Sequence, residues 1–310
     1  MIDYQNAENY NDLSSLISAI NVDNTYAVVL FPLNSKTKSF YTLISSYKLN
    51  YINLKLGTQP APYSLLKESI LRIYYLWFKY YNKFVPAKII FYSGNKAKFY
   101  DLIANSNTAL VSVSGFDYIN YHNTLNDEFV SCPYFVFVDE IYVSHPDLQG
   151  RDIMHLGEEK YFEEINEVLV RLAVKYNLEP VVCIHPRASD AWASKYRFKT
   201  VRGKTNVYIK KSQFIVTHAS TAISFAVLSF KPIVQVRMNV QVKYYLKVLE
   251  NYNRELATDI LHYENNYDMT HLNLVVDENL YYAYINRYLS EEADPVYYSK
   301  ELMKIMKISY

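Results

Sequence analysis

The sequence predicts an α/β protein built from two open, mostly parallel sheets. Short apolar runs alternate with helix-patterned segments, the pattern lapses once into a polar stretch, and it then starts again. Such alternation is the mark of parallel strands joined by crossover helices. A chain of 310 residues also exceeds one typical core and suits two domains of roughly 100 to 200 residues each.

In the first half the apolar runs are YAVVLF (Tyr26–Phe31), KIIFY (Lys88–Tyr92) and ALVSV (Ala109–Val113). The segment Tyr63–Phe84 carries apolar residues at helical spacing, with Pro60 and Pro62 suited to its start. Its broad aromatic face is expected in the core, with a membrane-surface or partner role as the alternative. Around Tyr121–Ser131 periodicity is lost just before PYFVFV, which sets the boundary: an N-terminal domain over 1–128 and a C-terminal domain over 129–310. The second half then predicts strand Tyr134–Val138, helix Gly157–Tyr176, strands Pro180–Ile184 and Phe214–Thr217, helix Thr221–Phe230 and strand Ile233–Val236. From Gln241 onward the chain reads as helices, over Tyr244–Tyr263, Glu278–Leu289 and a last piece after Pro295.

Charge and composition remove several function classes. Thirty-two basic and 31 acidic residues leave a formal charge of +1, so no global field draws the chain onto nucleic acid and any bound anion needs a local site. Cys132 and Cys183 have neither CxxC spacing nor a disulfide framework and read as buried thiols of a reducing compartment. The N-terminal residues lack the basic and apolar regions of a signal peptide. The nearly uncharged stretch Phe214–Phe230 is interrupted by polar residues and falls short of the ~20 apolar residues that span a bilayer. A cytoplasmic protein is expected. The 33 tyrosines are spread along the chain and read as coding bias.

Open parallel sheets bind ligands beyond the carboxyl ends of their strands, so the residues after each strand are the candidates. Strand Pro180–Ile184 ends in His185, Pro186 and Arg187, an imidazole and a guanidinium fork. Strand Phe214–Thr217 ends in His218, Ala219, Ser220 and Thr221 before an apolar helix. Ser220 is an N-cap candidate, and free N–H groups there would suit a phosphate. Strand Tyr134–Val138 ends in Asp139 and Glu140, followed by SHPDLQGRD (Ser144–Asp152), and one of these acids would take a proton from a hydroxyl. Each cluster also has a structural reading as strand cap, helix cap or hinge ion pair. His145 and His155 read as structural.

The run IHPRAS (Ile184–Ser189), followed by GKTNVYIKKSQFIVTHASTAISFAVLSFKPI (Gly203–Ile233), resembles the HP and Ser-Ser/Ser-Thr motifs of bacterial sialyltransferases, polysialyltransferases and capsule Kdo transferases. FVFVDEIYVSHPD (Phe135–Asp147) is similar to uncharacterised glycosyltransferases of O-antigen and capsule clusters. The likeness covers about Phe135 to Val236. It implies a GT-B fold of two Rossmann-like domains facing across a cleft, the nucleotide held by the C-terminal one.

By position the resemblance implies that His185, with Pro186 and Arg187, contacts the donor phosphate, that Thr205, His218, Ser220 and Thr221 line the nucleotide site, and that Asp139 or Glu140 is the base. The motif glycine after the acid is missing here, which keeps Asp117, in GFDY, as a rival base from the opposite domain. The expected reaction is displacement at an anomeric carbon, with a CMP-linked ulosonic acid as donor and a glycan, lipid-linked or free, as acceptor. No DxD element is present, so no metal or other cofactor is expected, and a lipid-linked acceptor would favour the inner membrane's cytoplasmic face. A nucleotide-sugar epimerase, a polyol-phosphate transferase and a non-catalytic binding protein are the rival readings.

Overall fold

A computed structural model describes residues 10–306 apart from 21–24, 35, 58, 61–69, 71–72, 75, 78–79, 82–83, 100–102, 125–132, 144–156 and 239–242. The described residues form two units. One gathers the chain as far as Gly115 together with the segment from Ser290 onward; the other is essentially Phe116–Leu289. The boundary at 128/129 lies outside the described residues.

The first unit contains α1 (Tyr10–Ser18), β1 (Tyr26–Val29), α2 (Lys38–Ser46), β2 (Asn50–Lys55), β3 (Ile89–Tyr92) and β4 (Ala109–Ser112). Its strands are all parallel and lie in chain order, β1-β2-β3-β4. Crossovers that step always the same way are right-handed only if their helices share one face. Tyr41, Leu43 and Ile44 of α2 accordingly pack with Val29, Tyr51 and Ile90. The opposite face would be bare, and the C-terminal helix Tyr298–Met306 covers it: Tyr298 and Leu302 pack on Ile52, Leu54 and Phe91. Strand β2 is absent from the sequence expectations because NYINLK hides a polar residue in its middle. Asn53 is 1 % exposed, and its Nδ2 donates to the carbonyls of Val29 (3.1 Å) and Phe31 (3.4 Å), tying β2 to the end of β1.

The second unit contains α3 (Phe116–Asn123), β5 (Tyr134–Val138), α4 (Glu158–Tyr176), β6 (Glu179–Ile184), α5 (Asp190–Ala193), β7 (Lys199–Arg202), α6 (Thr205–Lys211), β8 (Ile215–Thr217), α7 (Ile223–Leu228), β9 (Ile233–Arg237), α8 (Lys243–Leu256), β10 (Asp259–His262) and α9 (Glu278–Tyr284). The sheet is parallel throughout, in the order β10-β9-β8-β5-β6-β7. That is the doubly wound order, and the direction of winding reverses between β5 and β8. Helix α4 buries Tyr161, Phe162, Ile165, Val168, Leu169 and Leu172, the 3.6-residue period of a core-facing stripe. It ends at Asn177, which is left-handed at φ 51, a conformation asparagine tolerates well.

Three expectations are corrected. The helix predicted through Tyr263 stops at Leu256, because Ala257 is left-handed (φ 50) and Asn253 Nδ2 turns back to the Thr258 carbonyl; Asp259–His262 is an edge strand beside β9. Helix α7 is shorter than Thr221–Phe230, since Phe230 is left-handed (φ 51) and Lys231 N–H closes on the Ala226 carbonyl. The aromatic face of Tyr63–Phe84 is not core where it is described: Ile70, Ile73, Tyr74, Trp77, Tyr80 and Tyr81 are helical and exposed.

Candidate functional site

The strand order reverses between β5 and β8, and in open parallel sheets such a switch point at the carboxyl edge is where ligands bind. The register sets Val138 opposite Cys183 and Phe137 opposite Val216. Asp139–Glu140 therefore lies between His185 on one side and His218–Thr221 on the other. The strands carrying His185 and Ser220 are two spacings, about 10 Å, apart.

The two acids act as staples. Asp139, 2 % exposed, accepts from the His185 N–H (3.2 Å) and the Ile141 N–H (3.1 Å). It also accepts from the Trp192 indole (3.1 Å) and the Tyr196 hydroxyl (2.9 Å). Those donors use both oxygens, so the group expected as a base instead fastens the end of β6 to the end of β5. Glu140, 6 % exposed, faces the other way. Its Oε1 accepts from the Thr217 hydroxyl and the His218 and Ala219 N–H groups, each at 2.9 Å. Among the described residues no donor is bonded to Oε2. Burial raises the Glu140 carboxyl from 4.5 to about 7, against the opposing pull of its three donors. One oxygen is thus oriented by three donors, and the carboxyl as a whole is buried and raised toward neutrality.

The same bonds revise the phosphate expectation at β8. The N–H groups of His218 and Ala219 already hold a carboxylate. Ala222 N–H is bonded to Ser220 Oγ at 3.2 Å, and the next three N–H groups close short turns onto Ser220, Thr221 and Ala222 carbonyls. An anion at this loop would meet the side chains of half-buried Ser220 and exposed Thr221 rather than a free helix end. His218 is wholly buried, Nδ1 against the Val236 carbonyl (2.8 Å) and Nε2 against the Tyr161 hydroxyl (3.2 Å). Burial lowers it from 6.5 to about 4. It packs between Tyr142 and Phe137, with both ring nitrogens bonded within the protein.

His185 is half-buried and Pro186 and Arg187 are exposed. The imidazole Nδ1 accepts from the Arg187 N–H (3.1 Å), which leaves the hydrogen on Nε2 as a donor. This loop is shaped by a residue that the sequence reading missed. Arg202, at the end of β7, donates to the carbonyls of His185 (3.3 Å), Pro186 (3.2 Å) and Ala188 (2.5 Å) and pairs with Asp190 (3.2 Å). Its only sequence signal was an arginine before Gly203 at the end of an unrecognised edge strand. Beside the loop lies an open cavity of about 330 Å³, lined by Ile141, Glu158, Arg187, Ser189, Trp192 and Lys195, with Lys195 paired to Glu158. Its size is at the small end of ligand pockets.

Thr205 stands apart from this group: it opens α6, and its hydroxyl is bonded to the buried Cys183 thiol, which burial pushes up to about 12. Asp117 is not in the opposite domain. It lies on α3 in the second unit, where burial raises its carboxyl and the Ser224 side chain of α7 is bonded to it. Ser144–Asp152, His145 and His155 lie outside the described residues. Among the described residues no cluster of His, Cys, Asp and Glu is arranged to hold a metal ion, and no helix is long and apolar enough to cross a membrane.

Two parallel-sheet α/β units, one of them doubly wound with its polar residues at the switch point, define a GT-B-like fold. Solved structures share it along nearly the whole chain. MnaA of S. aureus, solved with UDP, is 13 % identical at a TM-score of 0.51, covering 96 % of this chain and 80 % of its own. A protein assigned as a UDP-N-acetylglucosamine 2-epimerase in Listeria monocytogenes is 11 % identical at 0.53, over 96 % and 78 %. The UDP-GlcNAc 2-epimerase of Methanocaldococcus jannaschii is 12 % identical at 0.50, over 96 % and 82 %. At such identities the likeness is one of fold. Neither the protein-family models nor the curated proteins include a match to this chain.

Proposed function

We propose that this chain is an enzyme acting on nucleotide sugars and that it transfers the sugar to a hydroxyl acceptor without a metal. The observation that carries the reading is the convergence, at one switch point, of a buried carboxylate raised toward neutrality (Glu140), a donor imidazole beside a guanidinium (His185, Arg187) and two hydroxyls (Ser220, Thr221). In this reading Glu140 Oε2 accepts the acceptor's proton. The His185 Nε2–H and Arg187 stabilise charge on the departing phosphate, and Ser220 and Thr221 orient it. Asp139 is a positioning residue, because it holds the His185 backbone. The HP and Ser-Thr resemblance supports a CMP-linked ulosonic acid as donor and a surface-polysaccharide acceptor.

Epimerisation of a nucleotide sugar is the second reading, favoured by the names of the solved structures that share the fold over 96 % of the chain. A thermal-shift panel of CMP, CDP, UDP and GDP identifies the nucleotide through selective stabilisation. Incubation with the matching labelled donor then separates the chemistries: label on an acceptor supports transfer, isomerised free donor supports epimerisation, and neither product removes both. His185→Ala is expected to lower turnover by about 10²-fold, the scale for losing one charge-stabilising donor; near-normal turnover takes His185 out of the mechanism.

A further inference from the structure

The helical residues between 70 and 81 present an apolar surface to solvent. Ile70 is 59 % exposed, Ile73 70 %, Trp77 59 %, Tyr80 84 % and Tyr81 73 %. Positions 70, 73, 74, 77 and 81 repeat at the spacing of one helix face, and Trp77 and Tyr81 stack on each other at 5.3 Å. Contiguous apolar surface of this kind on a folded chain marks a binding face.

Composition selects the occupant. Between 67 and 83 the sequence has Lys67, Arg72, Lys79 and Lys83 against Glu68, a balance of +3 (four minus one) in a chain whose total is +1. Trp and Tyr combine an apolar body with a polar tip, the pairing found at the level of lipid headgroups. A second copy of the chain would bring two +3 segments together, whereas an anionic bilayer surface attracts one. An exposed apolar and aromatic helix face in a segment of basic sequence is the pattern of helices that lie in the interface plane.

We propose that this face seats the first unit on a membrane surface containing anionic phospholipid. The inference is independent of the nucleotide-sugar reading. Its test is co-sedimentation of the full chain with vesicles of phosphatidylglycerol and phosphatidylcholine, with pure phosphatidylcholine as reference, for the native chain and for Ile73→Glu/Trp77→Glu. Both substitutions lie at exposed positions, and unfolding midpoints confirm that the variant folds.

The expected result is binding to anionic vesicles that weakens with salt, is at least tenfold weaker on phosphatidylcholine, and falls at least tenfold in the variant while the midpoint stays put. No binding at low salt, or binding the variant leaves unchanged, overturns the proposal. So does a native dimer that the variant converts to a monomer without any vesicle binding, since the face would then belong to a second copy. Failure here leaves nucleotide binding and turnover untouched, so it is distinguishable from failure of the function proposed above.

Discussion

The two sheets solve the same problem with different means. In the first, β1 to β4 advance in one direction, so the order contains no switch point. A neutral amide, Asn53, suffices to tie neighbouring strand ends. In the second the order reverses between β5 and β8, and two buried carboxylates bridge the strand ends on either side of β5. Reversal thus coincides with charged ties where the unidirectional sheet uses a neutral one. Of the groups at this edge Glu140 is buried and His185 half-buried.

The largest effect should come from removing the tie that uses most donors. Asp139→Ala leaves the His185 and Ile141 N–H groups, the Trp192 indole and the Tyr196 hydroxyl without their acceptor. Each buried polar group left unpaired costs about 1–3 kcal/mol, with losses that do not simply add. A loss of about 3 kcal/mol or more in urea unfolding is expected. A loss under about 1 kcal/mol would mean that the edge of the second sheet is no more dependent on its staple than the first.

Glu140→Gln sharpens the comparison through pH. The native carboxyl is raised to about 7, so in the folded chain it is stabilising below 4.5 and that stability is lost as pH rises through about 7. His218, lowered to about 4, has the opposite sign: its contribution is present above 6.5 and lost as pH falls through about 4. Between about 4.5 and 6.5 the two slopes cancel. Gln keeps an acceptor for the three donors and removes the charge, so the variant should gain up to about 3 kcal/mol at pH 8 and should now lose stability steadily from pH 6.5 down to 4. Turnover, by contrast, should fall and lose its rise through about pH 7. Unfolding curves at pH 5 and pH 8 with a pH–rate profile check both halves; unchanged turnover would leave Glu140 a staple only.

How much of this was legible in the sequence depends on whether the cause was local. Strands such as Tyr134–Val138 and Ile89–Tyr92 declare themselves because burial on both faces makes them continuously apolar. β2 and β7 did not: one carries a buried asparagine, the other is an edge strand with exposed Lys199 and Arg202. β10 was hidden because the apolar spacing of α8 runs on past Ala257, and only a left-handed residue stops it. The positions of His185, Arg187 and Ser220 just beyond strand ends were legible because a strand end is a local event. The division of labour between Asp139 and Glu140 was not, since it is set by which neighbouring strand each side chain meets. Arg202 is 17 residues from His185, and only the β6–β7 pairing unites them.

The smallest expected effect returns to the first sheet. Asn53→Ala removes two bonds from one amide, at 3.1 and 3.4 Å, the second near the limit of useful geometry. The released carbonyls belong to Val29, which is buried, and to Phe31, which is 37 % exposed and also accepts from the Tyr41 hydroxyl at 2.8 Å. Phe31 therefore keeps a partner and access to water, and Val29 stays paired in the parallel ladder with β2. A loss of about 1 kcal/mol follows, the net worth of the bonds removed, smaller than for Asp139→Ala by urea unfolding under the same conditions. An Asn53→Ala loss equal to that of Asp139→Ala would show that the amide carries as much of its edge as the carboxylate does, and the distinction drawn from strand order would fail.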